Sequence, residues 1–246
     1  MGSRRYSMKV EIWSDYVCPF CYIGKRRFEN ALSAFEGREK VEVVYKSFEL
    51  DPSFQRTDQD IHAVLAQKYG TSYEQGKSMN DQMAERAKDV GLAYDFDRAI
   101  PANTFDAHRV SHFAKQNGLL KEVTERILKG YFTEGLDIND HNTLAKLASE
   151  AGLDEQETLA VLKDGKFAED VRADEEEGSR LGITGVPFFV FNQKYGVSGA
   201  QPEDVFTEVL EKVKQEEQEE SPIQLLNNNE NQKDKENDCS DGSCSI

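Results

Sequence analysis

Positive charge is scarce in this chain. Thirty lysines and arginines stand against 46 acidic residues in 246 positions, and the net charge of −16 argues against nucleic acid or an anionic membrane as a partner. No apolar run approaches the roughly 20 residues needed to span a bilayer. Met1 to Ser7 hold no apolar core of signal-peptide length, so a cytoplasmic protein is expected. Only four cysteines are present, in two close pairs. In a reducing compartment that pattern points to catalysis or metal binding and excludes a disulfide scaffold. Hydrophobic content is low at 38%, partly because the C-terminal segment is polar. From Lys214 onward three basic and nine acidic residues leave that segment at −6 and the body at −10. The length exceeds one average domain, yet suits a single core carrying an insertion.

What is present is Cys18-Pro19-Phe20-Cys21, placed after the alternating run Met8 to Trp13 and before a helix-like stretch, Tyr22 to Phe35. A C-x-x-C at a strand-to-helix turn is a redox dithiol signature. A sulfur at the first turn of a helix faces unpaired N–H groups and the positive end of the dipole, which favour thiolate. Pro19 suits the first helical position, so the helix is expected to start between the two sulfurs. Cys18 then attacks, and Cys21, on the same side of that turn, resolves the mixed disulfide. Phe20 brings no charge, which predicts moderate oxidising power. Two other readings of the pair stay open here. One is a structural disulfide. The other is a zinc site completed by Cys239 and Cys244, as in a zinc-holding redox chaperone.

Lys9 to Trp13 and Val41 to Phe48 read as strands around the Tyr22–Phe35 helix, a βαβ unit. Beyond it the period changes to 3.6, predicting helices over 61–69, 73–90, 104–117, 119–131, 142–151, 155–164 and 168–180. Breaks are expected at Gly91, Gly118, Gly135, Gly152 and Gly165. Strand chemistry returns at Phe188–Phe191 and Tyr195–Val197, a hairpin, before a last helix over 202–215. The predicted fold is α/β: a thioredoxin-like domain over 8–55 and 179–215, a large all-helical insertion over 56–178, and a flexible polar tail over 216–246 carrying a C-x4-C. Within the tail, Ser221–Leu226 is the one apolar cluster, either docked on the body or without a partner.

The segments Trp13–Gly24 and Gly182–Val190 resemble the DsbA-like thioredoxin family, most closely its FrnE-type branch, which groups thiol-disulfide oxidoreductases. Ser47–Pro52, Asn103–His108, Tyr131–Gly135 and Gly199–Pro202 extend the match over about residues 8 to 215. The resemblance implies a cis bond before Pro187, facing the dithiol. It also implies that the Val186 backbone pairs with an extended substrate segment. Pro19, Phe20, Asn103 and His108 are then substrate-side residues, and the partners are protein or peptide thiols and disulfides. No cofactor is expected beyond the redox-active disulfide, with glutathione or a thioredoxin-type reductant as electron donor. A related branch, the chromene-carboxylate isomerases and kappa-class transferases, uses glutathione on small hydrophobic acids. That branch usually has serine at the first position and no second cysteine, and this chain keeps both thiols.

A C-terminal C-x4-C recurs in FrnE-type chains. Around Cys239 and Cys244 the Ser-Asp-Gly-Ser centre is good turn chemistry. A tether of about 22 residues has an r.m.s. span of about 25 Å, so these cysteines are expected to form a second redox pair that exchanges with Cys18 and Cys21. His108 and His112 stand at i and i+4, a spacing that can hold a metal, but no accompanying carboxylate completes a motif and packing is the plainer reading. Asp15 and Glu49 are candidate proton relays whose default is a solvated carboxylate.

Overall fold

Met8, Val10 and Ile12 alternate with Lys9, Glu11 and Trp13, the period of an extended chain. In the computed structural model, which describes residues 7–219, they form the strand β1 (Met8–Ser14). Helix α1 (Pro19–Ala34) and a short 3-10 turn, Arg38–Lys40, carry the chain to β2 (Val41–Ser47), which pairs parallel to β1 with Ile12 opposite Tyr45. β3 (Phe188–Phe191) pairs antiparallel on the other side of β1, with Ile12 opposite Phe189, and β4 (Tyr195–Ser198) closes the hairpin. The order is β2-β1-β3-β4. Asn192 and Gln193 turn the hairpin in the left-handed region, with φ of 47° and 55°. Asn192 also ties the turn to β1, its Oδ1 accepting from the Lys9 N–H at 2.7 Å.

Both faces of β1 are covered, so Glu11 and Trp13 are buried as well as Met8, Val10 and Ile12. On one face α1 and the last helix, α9 (Glu203–Glu219), enclose Met8, Val10 and Ile12. Phe28 sits among Phe189, Phe191 and Phe206 there, with ring centroids 5.6–6.2 Å apart. On the other face the helix α8 (Ala168–Arg180) lies against Trp13, whose indole N–H donates to the Asp174 carbonyl at 2.9 Å. Gly178 permits this approach, because a Cβ there would stand 2.8 Å from the indole nitrogen. The boundary drawn at 178/179 from sequence therefore falls inside a continuous helix packed on the sheet. The 3.6 period reported α8 as a helix but not what it packs on.

The remaining helices are α2 (Ile61–Tyr69), α3 (Tyr73–Lys88), α4 (Phe105–Gln116), α5 (Leu120–Phe132), α6 (His141–Glu150) and α7 (Glu155–Lys163). Their starts follow local chemistry. Asp60, Asp140 and Asp154 cap α2, α6 and α7, and Ser72 with Gln75 forms a capping box on α3. Gly118 and Gly152, two of the expected breaks, take φ of 73° and 105°. These helices share a core, Val110, Ile127, Leu144 and Leu147 among others, that also takes in Tyr16, Tyr22 and Ile23 from around the dithiol. The helical block thus closes directly over the β1–α1 turn.

Candidate active site

The chain leaves β1 through a tight turn in which the Cys18 N–H donates to the Asp15 carbonyl at 3.3 Å. Cys18 is the N-cap of α1 and Pro19 its first residue, where the missing N–H has no partner to lose. The helix does begin between the two sulfurs. Both thiols are free. Cys18 Sγ lies 3.5 Å from the Val186 carbonyl oxygen, and the Val186–Pro187 peptide is cis. Gly24 brings α1 against this loop: a Cβ there would stand 3.0 Å from Pro187 Cγ and 3.4 Å from Ala200. Phe20 is 41% exposed at the tip of the turn. The Pro19 carbonyl accepts from the Tyr94 hydroxyl at 2.8 Å, and Tyr94 stacks on Phe132 at 4.6 Å. The helical block therefore holds the first turn of α1 in place.

Cys21 lies beside it, one turn into the helix. Its sulfur is buried and accepts from the Asp15 backbone N–H at 3.4 Å. Burial pushes its thiol well up and the neighbouring Cys18 adds to that, while the Ser14 hydroxyl and the Asp15 N–H pull in the opposite direction. Both sulfurs are buried, but Cys18 sits at the helix N-cap beside the Val186 carbonyl while burial holds the Cys21 thiol protonated, an asymmetry suited to attack by the first and resolution by the second.

Beneath the dithiol the carboxylates depart from the solvated default. Asp15 is 1% exposed. Its Oδ1 accepts from the Tyr16 N–H at 2.8 Å and faces His108 Nε2 at 3.3 Å, and its Oδ2 accepts from the Leu50 N–H at 2.8 Å. Glu49 is also buried. Burial pushes its carboxyl up against the pull of Arg172, which donates to Oε2 at 2.5 Å and leaves Oε1 without a partner. His112 Nε2 meets Ser47 Oγ and Asp174 Oδ2, each at 3.1 Å. Among the described residues no group of three or more His, Cys, Asp or Glu is arranged to hold a metal.

A groove-side position for Asn103 and His108 is not where the structure puts them. The Asn103 amide donates to the Phe54 carbonyl and accepts from the Phe105 N–H, organising the approach to α4. His108 is buried against Asp15 and the Tyr16 ring. Val17, Leu50, Phe54, Ile61, Leu65 and Ala102 line a cavity of about 140 Å³ that also reaches Asp15. Cys239 and Cys244, and with them the second redox pair, the Ser221–Leu226 cluster and the four-cysteine zinc alternative, lie outside the described residues.

The model of the DSBA-like thioredoxin domain matches residues 9–211, nearly all of the described chain. The chain belongs to that family. A crystal structure of a probable DsbA oxidoreductase from Streptomyces coelicolor is 46% identical, covers 90% of this chain and 94% of its own, and superposes with a TM-score of 0.81. The uncharacterized protein YwbO of Bacillus subtilis (strain 168) is 31% identical over 207 residues, 83% of this chain and 96% of that one. The cytosolic disulfide reductase DsbM of Pseudomonas aeruginosa, solved with GSH, shares the fold at 18% identity and a TM-score of 0.59, covering 84% and 99% of the two chains. In this DsbA-like frame the residues that sequence reading undervalued are Ser14, Asp15, Glu49 and Tyr94. Ser14 and Asp15 lie just before the C-x-x-C, but the burial of Asp15 comes from the helical block, which no local pattern reports.

Proposed function

We propose that this chain is a thiol-disulfide oxidoreductase, a reductase or isomerase of protein and peptide disulfides in the cytoplasm. The observation that carries the reading is Cys18 at the N-cap of α1, 3.5 Å from the Val186 carbonyl, with Cys21 buried one turn behind. The Cys18 thiolate attacks a substrate disulfide, forming one S–S bond and expelling one substrate thiolate. Cys21 then loses its proton and attacks Cys18 Sγ. The second substrate thiolate leaves, the Cys18–Cys21 disulfide remains, and two electrons have passed to the substrate. A thiol reductant, glutathione or a thioredoxin-type protein, restores the dithiol, and Cys239 and Cys244 serve as a tethered relay.

Several observations support this. The Streptomyces coelicolor neighbour is nearly half identical over most of both chains. The fold neighbour from Pseudomonas aeruginosa is a cytosolic disulfide reductase solved with GSH. Among the described residues no helix is long and apolar enough to cross a membrane. The test is insulin reduction and scrambled-ribonuclease refolding. Cys18→Ser is expected to lose all turnover, Cys21→Ser to accumulate mixed disulfide, and the Cys239→Ser/Cys244→Ser double variant to turn over more slowly with protein donors. Full activity of Cys18→Ser overturns the reading. Tight glutathione binding without dithiol turnover selects a glutathione-dependent isomerase or transferase, and zinc lost with Cys18 selects the zinc-holding chaperone.

A further inference from the structure

The sheet ends at β2, which pairs with β1 on one side and meets no strand on the other among the described residues. An edge of this kind is a template for stray pairing unless charge or another segment guards it. On the face toward α1 its side chains are Val41, Val43 and Tyr45, each only partly buried. With Phe28 and Leu32 of α1 they line a groove of about 310 Å³ that continues the aromatic core outward. The two charged residues on its wall, Glu29 and Lys121, stand 3.8 Å apart and offset each other. The groove is apolar and carries no net charge.

The chain itself supplies a match. Helix α9 runs toward the end of α1, where Lys214 reaches Glu36 at 3.2 Å just before the chain enters β2. Asn192, which is bonded to the Lys9 N–H, donates to Glu217 at 2.8 Å, and Lys9 is paired with Glu42 near the start of β2. The chain therefore leaves α9 at the end of the sheet where β2 begins. A strand added outside β2 would lie two strand spacings, about 10 Å, from β1. The four residues from Glu219 to Ile223 can span about 14 Å. Ser221–Asn229 holds no charge, whereas Glu219, Glu220 and Glu230 flank it. Within it Ile223 and Leu225 alternate with Gln224, the period that puts both on one face of a strand. Pro222 falls at the first position, where an edge strand tolerates it.

We propose that Pro222–Leu226 pairs with the outer edge of β2, running parallel to it, and that Ile223 and Leu225 fill the groove between α1 and β2. Docking gives the backbone groups on that side of β2 a partner, as a peptide strand does when it adds to a sheet edge. It also takes Leu32, Val41, Val43 and Tyr45 out of water. A tethered segment holds the groove at any protein concentration, because its effective concentration is set by the tether, and this favours it over a second copy of the chain. The surface is separate from the dithiol, and the proposal stands or falls independently of the disulfide chemistry.

The test uses the full-length chain. Amide hydrogen exchange is followed over Val41–Lys46 in wild type, in the Ile223→Asp/Leu225→Asp double variant and in Gln224→Asp. The double variant is expected to exchange about tenfold faster in β2 with β3 unchanged, and Gln224→Asp to stay within about twofold of wild type. Equal rates in wild type and the double variant overturn the proposal, and so does equal acceleration by Gln224→Asp. A benzophenone amino acid in place of Ile223 gives a second readout that does not depend on stability. Photo-crosslinks within one chain to Leu32, Val41, Val43 or Tyr45 are the expected result. Crosslinks between chains, with β2 protection that rises with protein concentration, assign the groove to a second copy and overturn the proposal, as do crosslinks to other parts of the body or none at all.

Discussion

The two faces of the sheet differ in kind. The face under α1 and α9 is apolar and aromatic, a cluster built on Phe28, Phe189, Phe191 and Phe206. The face under α8 buries charge. Glu11 is buried there with Lys9 and Lys46 as partners, and Lys46 reaches Asp174 and Glu177, each at 2.9 Å. Asp174 in turn accepts from the Ser47 N–H at 3.0 Å and meets His112. Area burial stabilises the first face irrespective of pH. The second is stabilised by matched charges, whose strength depends on every partner being present. The dithiol stands at the end of β1 where the two meet, with Cys18 beside the Val186 carbonyl and Cys21 accepting from the Asp15 N–H. Chemistry that moves protons needs the second environment, and the first keeps the strand carrying it rigid.

Three substitutions probe that contrast. The largest loss is expected on the apolar face. Phe28→Ala removes a fully buried ring from between three others and should cost about 3–5 kcal/mol in denaturant unfolding, with the loss unchanged between pH 5 and 8. On the polar face Asp174→Ala should cost about 2–3 kcal/mol near neutral pH, by leaving the buried Ser47 N–H without its acceptor and the Lys46 ammonium with one carboxylate fewer. Here the loss should depend on pH. Burial pushes the Asp174 carboxyl up, but His112, the Ser47 N–H and Lys46 outweigh it and hold the group below the usual carboxylate range. A depressed carboxyl stabilises the fold above its unfolded pKa of about 3.9, and that contribution disappears as pH falls through the folded value. Acid unfolding curves of wild type and Asp174→Ala should therefore converge below that point, while those of Phe28→Ala stay parallel to wild type. Curves for Asp174→Ala that remain parallel into acid would remove the distinction between the faces. The smallest effect is expected at their junction. Gly24→Ala places a Cβ 3.0 Å from Pro187 Cγ and should cost about 1–2 kcal/mol, because the rigid ring must shift by a few tenths of an ångström. Since that contact sets the spacing between α1 and the Val186 carbonyl, peptide reductase activity should fall by more than the stability loss accounts for.

Much of the architecture could be read locally. The alternation in Met8–Trp13, Pro19 after Cys18, the Ser72–Gln75 box and the helical periods each act over a few residues, and β1, α1, β2 and the helices appear within a few positions of where those patterns put them. Burial of polar groups could not be read this way. Asp15 and Glu49 belong to a residue type that is ordinarily solvated, and nothing within several positions of either marks them otherwise. Their burial follows from α4, α5 and α8 arriving from 60 to 160 residues away, bringing His108, Thr124 and Arg172 with them. Asn103 shows the converse. A polar residue in a motif-like stretch drew a substrate role, whereas its amide is engaged with the Phe54 carbonyl and the Phe105 N–H of its own and a neighbouring loop.

By itself the sequence determined the strand-helix-strand opening, the placement of Cys18 at a helix start with Cys21 one turn on, and the net acidity of the chain. Those depend on period, capping and composition, which are local or additive. The tertiary structure alone decided that both sulfurs are shielded, that the Val186 carbonyl 168 positions away stands over Cys18, and that a buried carboxylate and imidazole meet a water-sized cavity just before the C-x-x-C turn. Burial and long-range contact arise only when distant segments exclude water together, and that exclusion gives ordinary side chains their unusual chemistry.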